Sequence, residues 1–459
     1  MLIMMMLSLG SCTKQAPSAP LALHPENPRY FLYDGKPTIL ITSGEHYGAV
    51  LNLDFDFDRY LNELQRYGFN LTRTFSGVYM EDVGSFNIRN NTLAPAEGRL
   101  ICPWARSNHP GYAKGGAKFD LSRWDEAYFA RLKDFVRAAA QRGVIVELVL
   151  FCPYYEDQMW QISPLHPANN ANDTPNVPRT EVLTLKHPRL VALQEAMTRK
   201  IVSELRDMPN LYYEICNEPY FGGVTLDWQA RIAQVIAETE AEFPHKHLIA
   251  QNIANGSAEV RDPNPLVSIF NFHYASPPTA VKVNWHLNRP IAFDETGFQG
   301  SDDLPYRTDA WEFILAGGAV YSNLDYSFTT QHPNGTAEVS APGGGGPILR
   351  AQLAVLKRFI ESFEFLRMTP CDEIILGGVP EGAVARCLAE PGRQYAVYVK
   401  GGTQATIALD LPEGKYRSDW ISPRTGENQG SSVVTTLGGP VELESPSYVE
   451  DIALAIRRA

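Results

Sequence analysis

The sequence predicts an α/β fold, a (β/α)8 or TIM barrel followed by a small antiparallel β-sandwich. Short apolar runs alternate with amphipathic helical stretches from about residue 37 to 365, which is the pattern of a parallel sheet. Eight such runs occur, and eight strands with interleaved helices are typical of one closed barrel. From about Arg367 the hydrophobic period changes to two, which indicates antiparallel strands.

The eight predicted barrel strands are short, rich in branched apolar residues and separated by helical patterns. They span residues 38–42, 71–75, 144–151, 211–216, 247–251, 266–272, 290–293 and 319–324. Helical periodicity is clearest at residues 60–67, 128–141, 190–205, 228–242 and 348–363. We therefore predict a barrel over residues 29–366 and a β-sandwich over residues 367–459.

Composition limits the classes of partner. The chain has 459 residues, a net charge of −12 and a pI near 5.4. An acidic surface repels phosphate backbones, so nucleic acid is not an expected partner. Its apolar stretches fall short of the roughly 20 residues that a membrane-spanning helix needs.

The N-terminal segment predicts a lipid anchor. A short apolar run ends in Leu9-Gly10-Ser11-Cys12, which resembles a bacterial lipobox, where the cysteine is lipidated after cleavage. Residues 1–12 are then a lipoprotein-type signal ending at Cys12, and residues 13–28 a polar, Pro-rich tether. This interpretation implies that the protein associates with a bacterial membrane. The protein is then located in the cell envelope or is secreted. A disordered start with a chance cysteine is the alternative.

Three long segments follow predicted strands. Residues 76–121, 152–188 and 327–346 come after the second, third and eighth strands. Loops of this length in a compact domain are usually functional, and the loops after strands form the active-site face of a TIM barrel.

Two carboxylates at strand ends carry the predicted chemistry. Glu218 ends the fourth strand in Asn217-Glu218-Pro219, and Glu295 ends the seventh. One protonated and one ionised carboxyl group at a shared mouth suffice to cleave a glycosidic bond. Strand alternation predicts that Asp294 points away from Glu295. Glu147 and Glu214 lie within strands and are expected in the polar barrel interior, paired with Arg73.

These residues resemble a known clan. Asn217-Glu218 on strand four, Glu295 on strand seven, Arg73 on strand two and His273-Tyr274 after strand six match the pattern of glycoside hydrolase clan A. That clan includes the cellulase-like family five. The segments Asn27-Pro28-Arg29-Tyr30-Phe31 and Trp420–Gly426 look like those of apiosidase-like relatives in the clan. The resemblance implies a retaining mechanism with Glu218 as acid/base, Glu295 as nucleophile, and no metal or organic cofactor.

Further residues are predicted to bind substrate. The resemblance implies that Arg73, His273 and Tyr274 orient Glu295 and that Asn217 contacts a sugar hydroxyl. Other candidates follow strand ends or lie in long loops, where sugar binding and structural bracing are both open: Glu45, His46, Trp104, Trp160 and Tyr326, the last (or Asp325) standing where many clan members have a Trp.

The predicted function is retaining O-glycoside hydrolysis of a poly- or oligosaccharide. The alternative is a lipid-anchored carbohydrate-binding protein whose barrel is inactive. The sandwich is interpreted as a brace on the barrel, with a glycan-binding module as its alternative. The sugar, the linkage, endo or exo action and the oligomeric state stay open from the sequence.

Overall fold

A computed structural model describes residues 19–339 and 342–459. Its centre is a sheet of eight parallel strands whose neighbours follow chain order, with the eighth strand paired to the first. The strands are Leu40–Gly44, Leu71–Phe75, Ile145–Phe151, Leu211–Cys216, Ile249–Asn255, Ile269–His273, Ile291–Thr296 and Val320–Leu324. This order confirms the predicted barrel.

Side chains and loop backbone join the first and second strands, where no ladder forms between them. The Asn70 side chain donates to Ile39 O at 2.8 Å and accepts from Ile41 N at 3.1 Å. Beyond the strand end, Phe75 N donates to Tyr47 O at 3.0 Å. An Asn amide reproduces the donor and acceptor of a peptide, so this side chain stands in for a ladder bond.

Helices cover the outer face of the barrel. Most begin with a capping side chain or a proline, as the Asp125 carboxylate shows by accepting from Ala127 N and Tyr128 N. The helices are Phe57–Arg66, Glu126–Ala140, Asp157–Ile162, Pro188–Glu204, Leu226–Thr239, Thr279–Asn284, Asp303–Leu315 and Pro347–Glu361. Helix Asp303–Leu315 escaped prediction because nearly all of it is buried, which removes the polar stripe that marks a surface helix.

Two small β elements lie outside the predicted set. In the long loop after the second strand, Trp104–Pro110 pairs with Ala117–Trp124 as a hairpin. Before the barrel, Ala22–Leu23, Phe31–Tyr33 and Lys36–Thr38 form a three-stranded sheet. The predicted tether over residues 13–28 is therefore too long, because Leu21 is buried and its N–H bonds Pro209 O.

The C-terminal strands form two antiparallel sheets with their own apolar core. The larger sheet contains Thr369–Pro370, Val384–Glu390, Gln394–Lys400, Gly414–Ile421, Asn428–Thr436 and Asp451–Arg458; the smaller contains Ile375–Gly377, Thr406–Leu411 and Gly439–Glu444. Alternation of buried and exposed residues along Gly414–Ile421 matches the period of two that predicted a sandwich.

Buried polar and aromatic contacts hold the sandwich on the barrel. Arg307 of helix Asp303–Leu315 is 2% exposed and binds both Asp451 oxygens, at 2.9 and 3.1 Å. Trp311 of the same helix stacks on Tyr398, with ring centroids 5.3 Å apart. A buried charge that depends on a partner across the junction makes the two parts interdependent.

Within the described residues, no helix combines the length and the apolarity that crossing a bilayer requires. Cys12 and the predicted signal lie outside the described residues.

Candidate active site

A cleft opens at the carboxyl ends of the barrel strands. It encloses about 390 Å³, which lies near the lower end of the roughly 300–1,000 Å³ common for small-molecule sites. Seven strands or the loops after them contribute to its lining: His46, Tyr47, Phe75, Tyr79, Glu81, Phe86, Leu93, Cys152, Tyr155, Asn217, Glu218, Phe221, Asn255, Tyr274, Glu295 and Phe298. Both predicted catalytic carboxylates are among them.

Glu218 follows a strand whose residues are all buried, and the chain turns sharply where that strand ends. Its φ of 37° is a left-handed conformation that non-glycine residues seldom adopt. Two tyrosines fix the carboxylate: Tyr155 donates to Oε2 at 2.6 Å and Tyr220 to Oε1 at 3.2 Å. The group is thus held toward the cleft by neighbours from two loops.

Glu295 is held by three donors. Tyr47 donates to Oε2 at 2.7 Å, Tyr274 to Oε1 at 2.7 Å, and Arg73 to Oε2 at 3.2 Å. Hydrogen bonds to both oxygens fix the plane of the carboxylate. The Arg73 guanidinium also places a positive charge beside this carboxylate.

The two carboxyl groups are close. Ligand atoms of Glu218, His273 and Glu295 all lie within 4.8 Å of one another. In retaining glycosidases the paired carboxyl groups stand about 5–5.5 Å apart, whereas inverting enzymes need about 6.5–9.5 Å to admit a water. The spacing here fits direct attack by a carboxylate.

His273 sits between these carboxylates and is fully buried. Its Nδ1 lies 3.1 Å from Glu218 Oε1 and 3.5 Å from Glu295 Oε1. Burial opposes the charged imidazole, but Glu295, Glu218 and Asp294 raise the pKa of His273 to about 9. Burial likewise raises the pKa of Glu218, yet the hydrogen bond and charge of His273 outweigh it, so that pKa falls below its ordinary value. A proton therefore rests on His273, one hydrogen bond away from Glu218.

A charged layer supports the cleft from below. Arg73 binds Glu214 Oε2 at 2.7 Å and Asn217 Oδ1 at 2.7 Å, as the predicted Arg73–Glu214 pairing requires. Glu147, Glu214 and Asp294 also bring oxygens within 4.8 Å of one another, a spacing that suits a metal ion. The Arg73 guanidinium lies 3.6–3.9 Å from Asp294 and Glu147 and supplies the positive charge there. Burial and the neighbouring carboxylates of Asp294 and Glu214 raise the pKa of Glu147, which favours its protonated form.

The prediction that Asp294 points away from the site was wrong. Asp294 Oδ2 accepts from Asn271 at 2.6 Å, and its Oδ1 lies 3.6 Å from His273 Nε2, inside the barrel. The pairing explains it: Phe293 faces Phe272, but Glu295 faces the next residue, His273. One extra residue in the seventh strand forms a bulge and interrupts the alternation, so both acidic side chains turn inward.

Two predicted residues, Glu45 and His46, follow the first strand, and only one of them lines the cleft. His46 lines it and binds Glu81, with Nε2 3.3 Å from Oε2. The predicted sugar contact of Glu45 is wrong, because its oxygens accept from Gly48 N, Ala49 N and Thr92 Oγ1 and hold a loop. Tyr326 packs behind His46, with ring centroids 5.8 Å apart, and is not among the lining residues.

The two predicted loop tryptophans do not reach the cleft. Trp104 is 1% exposed and stacks on Trp124 at the base of the loop hairpin, 6.2 Å between centroids. Trp160 is 3% exposed and donates to Val177 O at 3.0 Å. Both brace their loops, which was the alternative interpretation.

Several cleft residues escaped prediction because they lie in irregular segments without periodicity. Tyr155 stands four residues beyond the third strand, and Tyr220 and Phe221 directly follow Pro219. Their position after strand ends was the available signal. The others are Tyr47, Tyr79, Glu81, Phe86, Leu93, Cys152 and Phe298 in loops, and Phe75 and Asn255 as the last residues of their strands.

Five of the twelve described non-glycine residues with positive φ line the cleft. Tyr47, Tyr274 and Phe298 have φ values of 63°, 50° and 59°, like Glu218 in the left-handed region. Such conformations cost of order 1–3 kcal/mol each and cluster at functional sites. Strained residues that together line one cleft support its assignment as the active site.

Comparisons with known proteins agree with this geometry. The family model "Cellulase (glycosyl hydrolase family 5)" matches residues 99–300. A family 5 glycoside hydrolase from Bacteroides vulgatus ATCC 8482 is similar in structure, with a TM-score of 0.65 and 14% identity over 96% of this chain and 93% of that one. A family 30 subfamily 8 xylanase from Clostridium acetobutylicum gives a TM-score of 0.51 and 13% identity over 92% and 96%. No curated protein matches the sequence.

The family match contains Asn217, Glu218, His273, Tyr274 and Glu295. The structural similarity extends beyond it to nearly the whole chain, sandwich included. These findings confirm the resemblance to the clan A glycoside hydrolases: residues 99–300 match the family 5 model, and the fold is similar to those of the solved family 5 and family 30 enzymes.

Proposed function

We propose that this protein hydrolyses O-glycosidic bonds with retention of configuration. The observation that carries the proposal is the pair Glu218 and Glu295, with oxygens within 4.8 Å across one cleft. A gap of this size has no room for a water between the second carboxylate and the anomeric carbon. The carboxylate itself must then be the nucleophile.

The proposed reaction has two displacements. Glu295 Oε attacks the anomeric carbon, the bond to the leaving oxygen breaks, and that oxygen takes the proton held by the Glu218–His273 pair. The product is a glycosyl ester on Glu295 and a free alcohol. The Glu218–His273 pair, having given up its proton, then takes one from water through Glu218, and the resulting hydroxide oxygen displaces Glu295 from the sugar.

The residues around Glu295 suit this cycle. Tyr47, Tyr274 and Arg73 stabilise the carboxylate before attack and again as it departs. Asn217 is fixed by Arg73 and donates to the Tyr155 hydroxyl at 2.8 Å, so it lies beside the acid/base with its amide at the cleft. We propose a contact between Asn217 and a sugar hydroxyl next to the reacting carbon.

Trapping of the intermediate tests the proposal. A 2-deoxy-2-fluoro glycosyl fluoride slows the second displacement more than it slows the first, and should add its glycosyl mass to the peptide that contains Glu295. The same reagent should not label Glu295→Gln. Binding without labelling or turnover, across a panel of aryl glycosides, would favour the inactive carbohydrate-binding alternative.

We also propose that the protein is anchored in a bacterial cell envelope through lipidated Cys12. The lipobox-like Leu9-Gly10-Ser11-Cys12 segment supports this part of the proposal. A poly- or oligosaccharide outside the cytoplasm is the corresponding substrate.

A further inference from the structure

The cleft differs in chemistry between its two ends. Polar side chains line the part next to the first strand, where His46 and Glu81 meet. Exposed aromatic side chains surround the part next to the third and fourth strands: Phe86, which packs on Tyr155, and Tyr220 and Phe221 after the fourth strand. In an eight-stranded barrel the first strand stands across the mouth from the fourth and fifth, so these are opposite ends.

Buried hydrogen bonds close the polar end. Tyr79, His46 and Asn91 all contact the Glu81 carboxylate, and Glu81 N donates to Leu93 O at 2.9 Å. Next to them, Thr92 Oγ1 bonds Glu45 Oε2, which ties the long loop to the end of the first strand. Glu81 and Leu93 are 3% and 0% exposed although both line the cleft. The loop therefore forms a fixed wall across this end.

The aromatic end is open and lies beside the acid/base. Phe86 and Phe221 flank Tyr155, at centroid distances of 5.3 and 5.8 Å, and Tyr155 donates to Glu218. Phe86 and Phe221 are 37% and 43% exposed. Exposed aromatic rings grouped at a cleft mouth are typical of a surface that receives the flat apolar face of a ligand.

The acid/base orients the substrate in this cleft. Glu218 protonates the leaving oxygen, so the leaving group lies on the Glu218 side, at the open aromatic end. The sugar that is transferred to Glu295 must extend the other way, toward His46 and Glu81. Among the residues that the structure describes, the wall behind that sugar leaves no path for a second one.

We infer that the enzyme is exo-acting: the closed end holds one terminal sugar against His46 and Glu81, and the rest of the substrate leaves across Phe86 and Phe221. The inference rests on the proposed function and gives its mode of action. Carboxyl groups of Glu81, Glu218 and Glu295 and the imidazole of His46 line the cleft around this position, so neutral sugars are the first substrates to test.

The test compares 4-nitrophenyl glycosides of single neutral sugars with matched 4-nitrophenyl disaccharides that carry one more sugar at the non-reducing end. For a sugar that the enzyme accepts, we expect initial nitrophenol release from the disaccharide to be at least about tenfold slower. The first product from the disaccharide should be its free terminal sugar. Direct release of the intact disaccharide would overturn the inference.

Glu81→Gln tests the wall residue itself, with Asp82→Asn as its matched control. Asp82 is the next residue of the same loop but binds Lys114 and Gln158, and it does not line the cleft. Glu81→Gln should lower kcat/KM on the accepted monoglycoside about 10- to 100-fold, the range for losing a hydrogen bond to a charged group. For the deoxy analogue that lacks the hydroxyl bound by Glu81, wild type and Glu81→Gln should have similar kcat/KM. A folding defect would instead lower kcat/KM for every analogue.

The outcomes separate the two proposals. Labelling of Glu295 together with release of intact disaccharides would overturn exo action alone. An equal loss for every deoxy analogue, or the same loss in Asp82→Asn, would overturn the role of Glu81. Absence of both turnover and labelling across the panel would overturn the proposed function and the inference that rests on it.

Discussion

His273 Nδ1 lies 3.1 Å from Glu218 Oε1, and the same nitrogen lies 3.5 Å from Glu295 Oε1. One imidazole thus links Glu218, the proposed acid/base, to Glu295, the proposed nucleophile. All three groups are held close together in a buried site. The protonation of each one therefore depends on the other two.

Activity should fall above about pH 9. Glu295, Glu218 and Asp294 raise the pKa of His273 to about 9 against the effect of burial. The shift is upward, so the proton that the Glu218–His273 pair supplies is present below that pH and lost above it. We expect kcat/KM for an unactivated glycoside to be steady at neutral pH and to decline along an alkaline limb near this value.

The control for the pH profile is an aryl glycoside whose leaving group needs little protonation. Its kcat/KM should be less sensitive to the alkaline limb than that of the unactivated glycoside. An alkaline limb near pH 7 on the unactivated substrate would contradict a His273 proton held by three carboxylates.

The two catalytic carboxylates should differ in their mutant kinetics. Glu218→Gln should lower kcat roughly 10²- to 10⁴-fold on poor leaving groups, the usual contribution of a general acid, and far less in the first step on activated aryl glycosides. Glu295→Gln should remove activity on both, because no nucleophile remains. Retained activity in Glu295→Gln would point to neighbouring Asp294, which also faces inward.

The first-formed sugar should keep the anomeric configuration of the substrate. Two displacements at one carbon each invert it, which restores the original arrangement. Proton NMR within the first minutes of reaction, before mutarotation, reads the anomer directly. A product of opposite configuration would rule out the covalent route, whatever residues prove essential.

Arg307→Met should destabilise the folded chain by about 3–5 kcal/mol, the usual cost of leaving a buried partner charge unpaired. Asp451 would lose its bond at 2.9 Å across the junction of barrel and sandwich. Denaturant unfolding measures the change, with Arg417→Met as the control, since Arg417 is exposed and pairs within the sandwich. Equal stability of Arg307→Met and the wild type would contradict a bracing role for the junction.

Cys12→Ala should move the protein from the membrane fraction to the soluble fraction of cells that express it. Lipidation needs the thiol, so serine at this position should behave as alanine does. The control is Cys102→Ala, which changes a buried cysteine elsewhere in the chain. A wild type found wholly in the soluble fraction would refute the anchor.

The sequence predicted the barrel well because parallel strands buried on both faces leave continuous apolar runs. The second and fourth strands, 71–75 and 211–216, match their predicted bounds, and Glu218 and Glu295 stand at strand ends as expected. The loops were less predictable. Whether Trp104 faces a cleft or a hairpin depends on pairing between Trp104–Pro110 and Ala117–Trp124, which has no local signature.

The same limit applies to Glu45, whose local sequence does not reveal that Thr92, 47 positions away, would bind it. Tertiary contacts of this kind decide which polar residue near a strand end meets solvent and which is enclosed. They also concealed Tyr155, which reaches Glu218 from 63 positions away.

The bulge in the seventh strand means that the register of a single strand determines where the nucleophile points. Between Phe293 and Thr296 this strand has one residue more than either neighbour needs. Deleting Asp294 would restore regular pairing and move Glu295 by one position relative to Arg73, Tyr47 and Tyr274. We expect the barrel to fold after such a deletion but to lose its activity. The extra residue in the seventh strand is therefore as necessary for the proposed reaction as Glu295 itself.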